Sequence, residues 1–204
     1  MDYEILASED VIAKTVEAVK ARGVEVVVVD NRAEALEKVK GMIPKGADVM
    51  NASSRTLEEI GFVEYLKSGA HGWNNLHVAI LAENDPQKQA KLRAESILSD
   101  YFLGSVHAIA ETGELVTASA SGSQIPGYAF SSSHVIWVAG TQKITPTLED
   151  AFKRVRTYVF PLEDQRMKGL GYPGSAIAKI LINEREILPD RKATLILVRE
   201  KLGF

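Results

Sequence analysis

No cysteine occurs in the 204 residues. That absence excludes disulfides, cysteine-ligated zinc, cysteine-held iron–sulfur clusters and a thiol nucleophile. Neither sign of charge dominates. The 24 basic residues against 27 acidic ones leave a net charge of -3, which argues against a nucleic-acid or membrane-surface partner. No apolar run approaches the ~20 residues needed to cross a bilayer. The opening MDYEILASEDVIAK is acidic and has no apolar segment of the kind that marks a secretion signal. Basic runs, long Pro/Ser/Gly tracts and internal repeats are missing too. The expectation is a cytoplasmic protein. A chain of this length buries one substantial core, so one domain over residues 1–204 is expected.

What is present alternates between strand and helix signals. Ser8 can cap a first helix, with Ile12, Val16 and Val19 on one face and Gly23 as its stop. Residues 24–29 form a β-branched run, as in a strand covered on both faces. Asn31 with Glu34 resembles a capping pair for a second helix ended by Gly41, and residues 47–50 read as a second strand. Thr56 with Glu59 has the pattern of a capping box. Further strands are expected at 77–81, 101–109, 115–118, 135–139 and 194–198. Asp85-Pro86 and Pro146 open helices, Pro161 is expected to end the second of these, and 162–174 reads as loop. Residues 176–187 are ambiguous. The sum is an α/β fold of six or seven strands and four or five helices around a mostly parallel sheet.

Residues 100–144 concentrate the polar groups that chemistry needs, between apolar runs that hold them. In an open α/β sheet, ligands settle beyond the carboxyl ends of the strands. Three segments are candidates for that rim: 51–56, 107–113 and 119–124. Asn51, Ser53, Ser54 and Arg55 follow a strand and lead into a helix, where hydroxyls, N–H groups and a guanidinium can meet an anion. The plainer reading is that these serines cap and turn. Ser121, Gly122 and Ser123 form a second such turn, and Lys143 follows another strand and can join them. The Glu111-Thr112-Gly113 turn sets a carboxylate beside a glycine, a placement suited to acid–base or covalent work, although an ordinary hairpin has the same pattern. His107 is the one histidine near that turn. The four histidines show no zinc-enzyme spacing, so no metal is assigned. Dinucleotide, P-loop and nucleophile-elbow patterns are absent from the sequence.

Several runs together resemble a known family. They are Ser53-Ser54-Arg55-Thr56-Leu57-Glu58-Glu59-Ile60-Gly61, Asp100-Tyr101-Phe102-Leu103-Gly104-Ser105 and Ala108-Ile109-Ala110-Glu111-Thr112-Gly113. Gly122, residues 135–140, Lys143-Ile144, Leu148-Glu149-Asp150-Ala151 and Leu202-Gly203-Phe204 continue the pattern in order. The chain is similar to the LUD domain of lactate-utilisation proteins over nearly its whole length. The resemblance implies a fold like that of the CoA-transferase, ribose-5-phosphate isomerase and 5-formyltetrahydrofolate cyclo-ligase group. It also implies a cluster-free subunit or accessory in oxidation of L-lactate to pyruvate, with iron–sulfur oxidoreductase subunits as partners. Two departures stand out. Where the family often has Asn-Ala-Ile and Gly-Asn-Arg, this chain has His107-Ala108-Ile109 and Gly122-Ser123-Gln124. The cysteine-rich segment of some short members has no counterpart in 167–182.

Alternatives stay open at this point. One is a subunit binding a small anionic metabolite; another is a stand-alone isomerase, transferase or cyclo-ligase acting on a phosphorylated or carboxylated substrate. A structural partner of a redox complex is the third. In the related folds a glutamate on a strand-terminal turn is the reacting residue, which makes Glu111 the expected catalytic group, with His107 beside it. No cofactor is assigned, and the oligomeric state stays open, a homo-oligomer included.

Overall fold

Ser8 does start the first helix: its hydroxyl accepts the Val11 N–H at 3.5 Å, with Glu9 and Asp10 in the first turn. The structure, a computed structural model, describes residues 2–204. Helix α1 (Glu9–Ala21) buries Ile12, Thr15 and Val19 and leads into strand β1 (Glu25–Val29). Asn31 caps α2 (Arg32–Met42) by accepting the Glu34 N–H at 3.0 Å. Next come β2 (Asp48–Asn51), α3 (Arg55–Glu59), α4 (Phe62–Ser68), β3 (Asn74–Asn75), α5 (Leu76–Ala82) and α6 (Pro86–Glu95). The second half holds β4 (Tyr101–Gly104), β5 (Ala108–Ala110), β6 (Leu115–Ser119), β7 (His134–Gly140) and β8 (Ile144–Thr145). Helices α7 (Leu148–Arg154) and α8 (Phe160–Gly169) then precede β9 (Lys179–Asn183) and β10 (Lys192–Val198).

Six strands form one sheet in the order β1-β10-β7-β4-β2-β3, and every pairing in it is parallel. Its middle strands are covered on both faces, which explains their nearly continuous apolar sequence. Alternate residues divide between two cores. Leu103, Ile136, Val138, Ile196 and Val198 pack with Val39, Leu57 and Phe62 on one face. Phe102, Val135, Trp137, Leu195 and Leu197 pack with Ile12 and Val19 of α1 on the other. The period of two in the strands therefore sorts side chains between two helical layers.

A second sheet, in the order β8-β5-β6-β9, stands beside the first. Strands β5 and β6 are an antiparallel hairpin, β9 adds antiparallel to β6, and β8 adds parallel to β5. Ala108 and Val116 of this sheet pack against Ala151 and Val155.

The α/β class with a mostly parallel sheet is as read from the sequence, but several elements differ. Residues 77–81 are helix α5, because the Asn75 side chain accepts the His77 N–H at 3.0 Å and starts a helical turn. The expected strand at 101–109 is two strands in two sheets, divided at Ser105-Val106-His107. Gly41 lies inside α2 and does not end it. Pro161 does not stop the chain's helical path: α8 continues directly from the wide turn at Val155–Val159, with Pro161 as its second residue. Residues 160–169 are thus helix, and 179–183 within the ambiguous segment are strand. The cap of α3 is Ser54, not Thr56; its hydroxyl accepts the Leu57 N–H at 3.3 Å. The strand count rises to ten and the α-helix count to eight among the described residues. Many of the additions are elements of two to five residues, too short to show a period.

Candidate functional site

Strands β2, β4 and β7 lie side by side and run in the same direction. Their carboxyl ends therefore open on one edge of the sheet, where ligands of open α/β sheets bind. Asn51 ends β2, Ser105, Val106 and His107 follow β4, and Lys143 follows β7. All of them line a cavity of about 520 Å³, closed on other sides by the 118–124 segment and by residues of α8.

Lys143 is only 2% exposed. Its ammonium donates to Thr56 Oγ1 at 3.0 Å, Ser105 Oγ at 3.0 Å and the Val106 carbonyl at 3.1 Å. All three acceptors are neutral, and no carboxylate pairs with it among the described residues. Burial first and the Arg154 charge second lower its pKa from 10.5 to about 7, against the opposing pull of Glu59. A cation buried without a counter-ion at the floor of a cavity is an uncompensated positive charge.

His107 completes that floor. Its Nδ1 accepts the Ala118 N–H at 3.0 Å. Burial, then Lys143 and Arg154, push its pKa down to about 3, so the ring is neutral near pH 7. With Nδ1 accepting, the proton sits on Nε2, which meets no protein acceptor among the described residues. Behind it, the buried Arg154 donates through Nη1 to the His107 carbonyl. The Arg154 guanidinium lies 5.1 Å from the Tyr158 ring and 5.7 Å from the Tyr3 ring, with Nε and Nη2 unpartnered. These aromatic faces stand where carboxylates would otherwise be expected.

The two serine-containing turns read from the sequence both line this cavity, at Asn51, Ser53, Ser54 and Arg55 and at Ser121 and Ser123. Much of their hydrogen bonding is internal. The Arg55 guanidinium pairs with Glu58 at 2.8 Å and Glu59 at 3.2 Å of its own helix. Ser121 Oγ donates to Ser123 Oγ at 3.0 Å, and Ser119 Oγ to Gln124 Oε1 at 2.9 Å. Gly122 shapes the turn and is not itself part of the lining.

The family model of the LUD domain matches residues 12–181. The chain belongs to the LUD domain family. A crystal structure of a DUF162 family protein from Deinococcus radiodurans is similar to this LUD domain, with a TM-score of 0.55 and 11% sequence identity. That likeness covers 95% of this chain and 99% of the other, and it speaks for the fold. No curated protein matches the chain.

Within the LUD domain, the acidic turn sits elsewhere than expected. Glu111, Thr112 and Gly113 do not line the cavity. The turn docks on α1: Glu111 Oε2 accepts from Lys14 Nζ at 2.8 Å, and the Thr112 carbonyl accepts from Arg22 Nε at 2.7 Å. Gly113 has φ 100, and a Cβ there would stand 2.6 Å from the Ala18 carbonyl oxygen. The glycine lets the turn lie directly against the helix. Glu111 is held by Lys14 and is not among the residues that line the cavity with Lys143 and His107.

Other lining residues carried no local signal. Tyr128 is buried, and burial raises its pKa while the Ser105 backbone holds its hydroxyl. Its oxygen occupies the space that a side chain at Gly104 would need. Arg93 reaches the cavity with Gln89 at 3.3 Å as its partner and no carboxylate among the described residues. Its charge, after burial, helps lower the pKa of His77, whose Nε2 donates to the Asn51 carbonyl at 3.2 Å. Two π-helical turns, Gly127–Ser131 and Val155–Val159, contribute Tyr128, Val155 and Val159 to the lining. Such wide turns occur frequently at functional sites. Among the described residues no group of three or more His, Asp or Glu side chains converges as a metal site.

Proposed function

We propose that this LUD domain binds a small organic anion at Lys143, as a cluster-free subunit or accessory of organic-acid metabolism. The observation that carries the reading is the Lys143 ammonium, buried in a cavity wall with three neutral acceptors and no carboxylate. A carboxylate or phosphate oxygen would displace one of the three neutral acceptors and supply the missing negative charge, and the His107 Nε2–H offers a neutral donor from the same floor. Arg93 adds positive charge at the cavity. The link of the LUD family to lactate utilisation supports L-lactate oxidation as the setting, with iron–sulfur oxidoreductase subunits as partners.

Calorimetric titration with lactate, pyruvate and inorganic phosphate tests the reading. A charge-assisted contact is worth ~1.5–3 kcal/mol, so Lys143→Met should weaken the binding anion by about tenfold or more. Equal affinity in wild type and variant would remove Lys143 from the site.

A second reading gives the same pocket a catalytic role, for which Lys143 is better placed than Glu111. A lysine whose pKa is about 7 is matched to proton transfer near neutral pH. Exchange of solvent deuterium into the carbon next to the carbonyl of pyruvate, followed by NMR, distinguishes catalysis from binding alone. Exchange no faster in the presence of the protein than in buffer leaves only the binding role.

A further inference from the structure

We infer that the ligand is an amphipathic organic anion, a carboxylate joined to an aromatic or branched apolar body, and not a three-carbon acid alone. The inference rests on anion binding at Lys143 and specifies the rest of the molecule.

Size is the first observation. The cavity of about 520 Å³ falls within the ~300–1,000 Å³ typical of pockets that enclose drug-sized ligands. Lactate at Lys143 would leave most of that space to water.

The nature of the wall is the second. Beyond the floor, Phe102, Val155, Val159, Phe160, Met167 and Ile177 line the cavity. Val155 and Val159 are brought there by a π-helical turn, while Phe160 and Met167 come from α8, a helix with no fully buried residue of its own. Phe102, Val155 and Val159 are already buried, whereas Phe160, Met167 and Ile177 are half-buried, and their remaining apolar surface in a concave site is what an apolar ligand body covers.

Polar groups elsewhere in the lining supply the third. Arg166 makes a two-pronged pair with Glu163, through Nε at 2.7 Å and Nη2 at 2.8 Å. Ser121 is bonded to Ser123, and Ser119 to Gln124. A hydrocarbon body leaves these pairs intact. Charge recognition thus rests on Lys143, with Arg93 as a second cation of the lining that no carboxylate pairs among the described residues, and the apolar part of the wall favours carbon.

The test is calorimetric titration of the full chain with lactate, 2-hydroxyhexanoate, phenyllactate and indolelactate, in a buffer that keeps Lys143 charged. Affinity should climb along the series, by about fourfold for each methylene fully buried. Two variants address the apolar body. Ala176→Trp fills cavity space from an exposed position, and Met167→Gln makes the wall polar at nearly constant volume. Each should weaken indolelactate by about tenfold while leaving lactate within about twofold of wild type. Lys143→Met should weaken all four acids. Equal affinity for the four acids, with neither wall variant separating them, overturns the inference and leaves anion binding in place. No binding of any acid, or an unaffected Lys143→Met, overturns both.

Discussion

Lys143 Nζ and Thr56 Oγ1 meet at 3.0 Å although 87 residues separate them in the chain. Thr56 passes the interaction on: its hydroxyl donates to the Leu202 carbonyl at 3.4 Å, and Gln142 Nε2 donates to the same oxygen at 2.9 Å. The site floor and the 202–204 segment are therefore one hydrogen-bonded unit. Glu59 reinforces it by accepting the Gly203 N–H at 2.7 Å.

The protonation of Lys143 makes stability depend on pH. Its folded pKa is about 7 against an ordinary 10.5. Between those values the unfolded chain holds the proton and the folded one does not, so this group makes stability rise with pH across that window. Lys143→Met deletes the effect. Urea unfolding of both proteins at several pH values should show the wild type gaining on the variant between pH 7 and 10.5. A constant difference would contradict the buried, unpaired ammonium. Anion affinity should move the other way, falling as pH rises through about 7 and the charge is lost.

Arg154 tunes that lysine. It adds to the lowering of both the Lys143 and the His107 pKa. Arg154→Met should raise the Lys143 pKa, measurable by NMR titration of the side chain, and shift the fall in anion affinity to higher pH. Because the guanidinium is buried without a carboxylate, the stability change should be small or even favourable. An unmoved Lys143 titration would show that the two charges do not sense each other.

Glu111→Gln should leave anion binding unchanged. The Lys14–Glu111 contact has its lysine 67% exposed and its glutamate 16% exposed. Pairs of this kind contribute ~0.2–1 kcal/mol, so thermal unfolding should fall only slightly. Loss of ligand binding in a stably folded Glu111→Gln protein would return the carboxylate to the site.

Gly104→Ala should destabilise the protein through Tyr128. A Cβ at 104 would stand 1.6 Å from the Tyr128 hydroxyl oxygen and 2.7 Å from Cζ. Overpacking of this kind costs about 1–3 kcal/mol. Tyr128→Phe removes the nearest atom and should recover part of the loss in the double variant. Strictly additive losses in denaturant unfolding would refute the clash.

Local chemistry within a few residues determined a good deal of this protein. Ser8 and Asn31 cap because a hydroxyl or amide next to free N–H groups needs nothing further away. The apolar runs of β7 and β10 marked buried parallel strands, and Glu111-Thr112-Gly113 marked a hairpin turn. That of β1 marked a parallel strand, which stands half-buried at the sheet edge and not covered as expected. The LUD membership was legible as well, in motifs spread in order along the chain. Tertiary structure alone decided what those pieces do. Placing β4 between β2 and β7 brings Thr56, Ser105 and Lys143 into contact, and strand order leaves no trace within any one segment. The break after Gly104 sends β5 into the second sheet, and its hairpin turn meets α1 and not the cavity. A turn motif has the same sequence on either side of a sheet; here the close approach of Gly113 to α1 sets Glu111 against Lys14, while Lys143 lines the cavity.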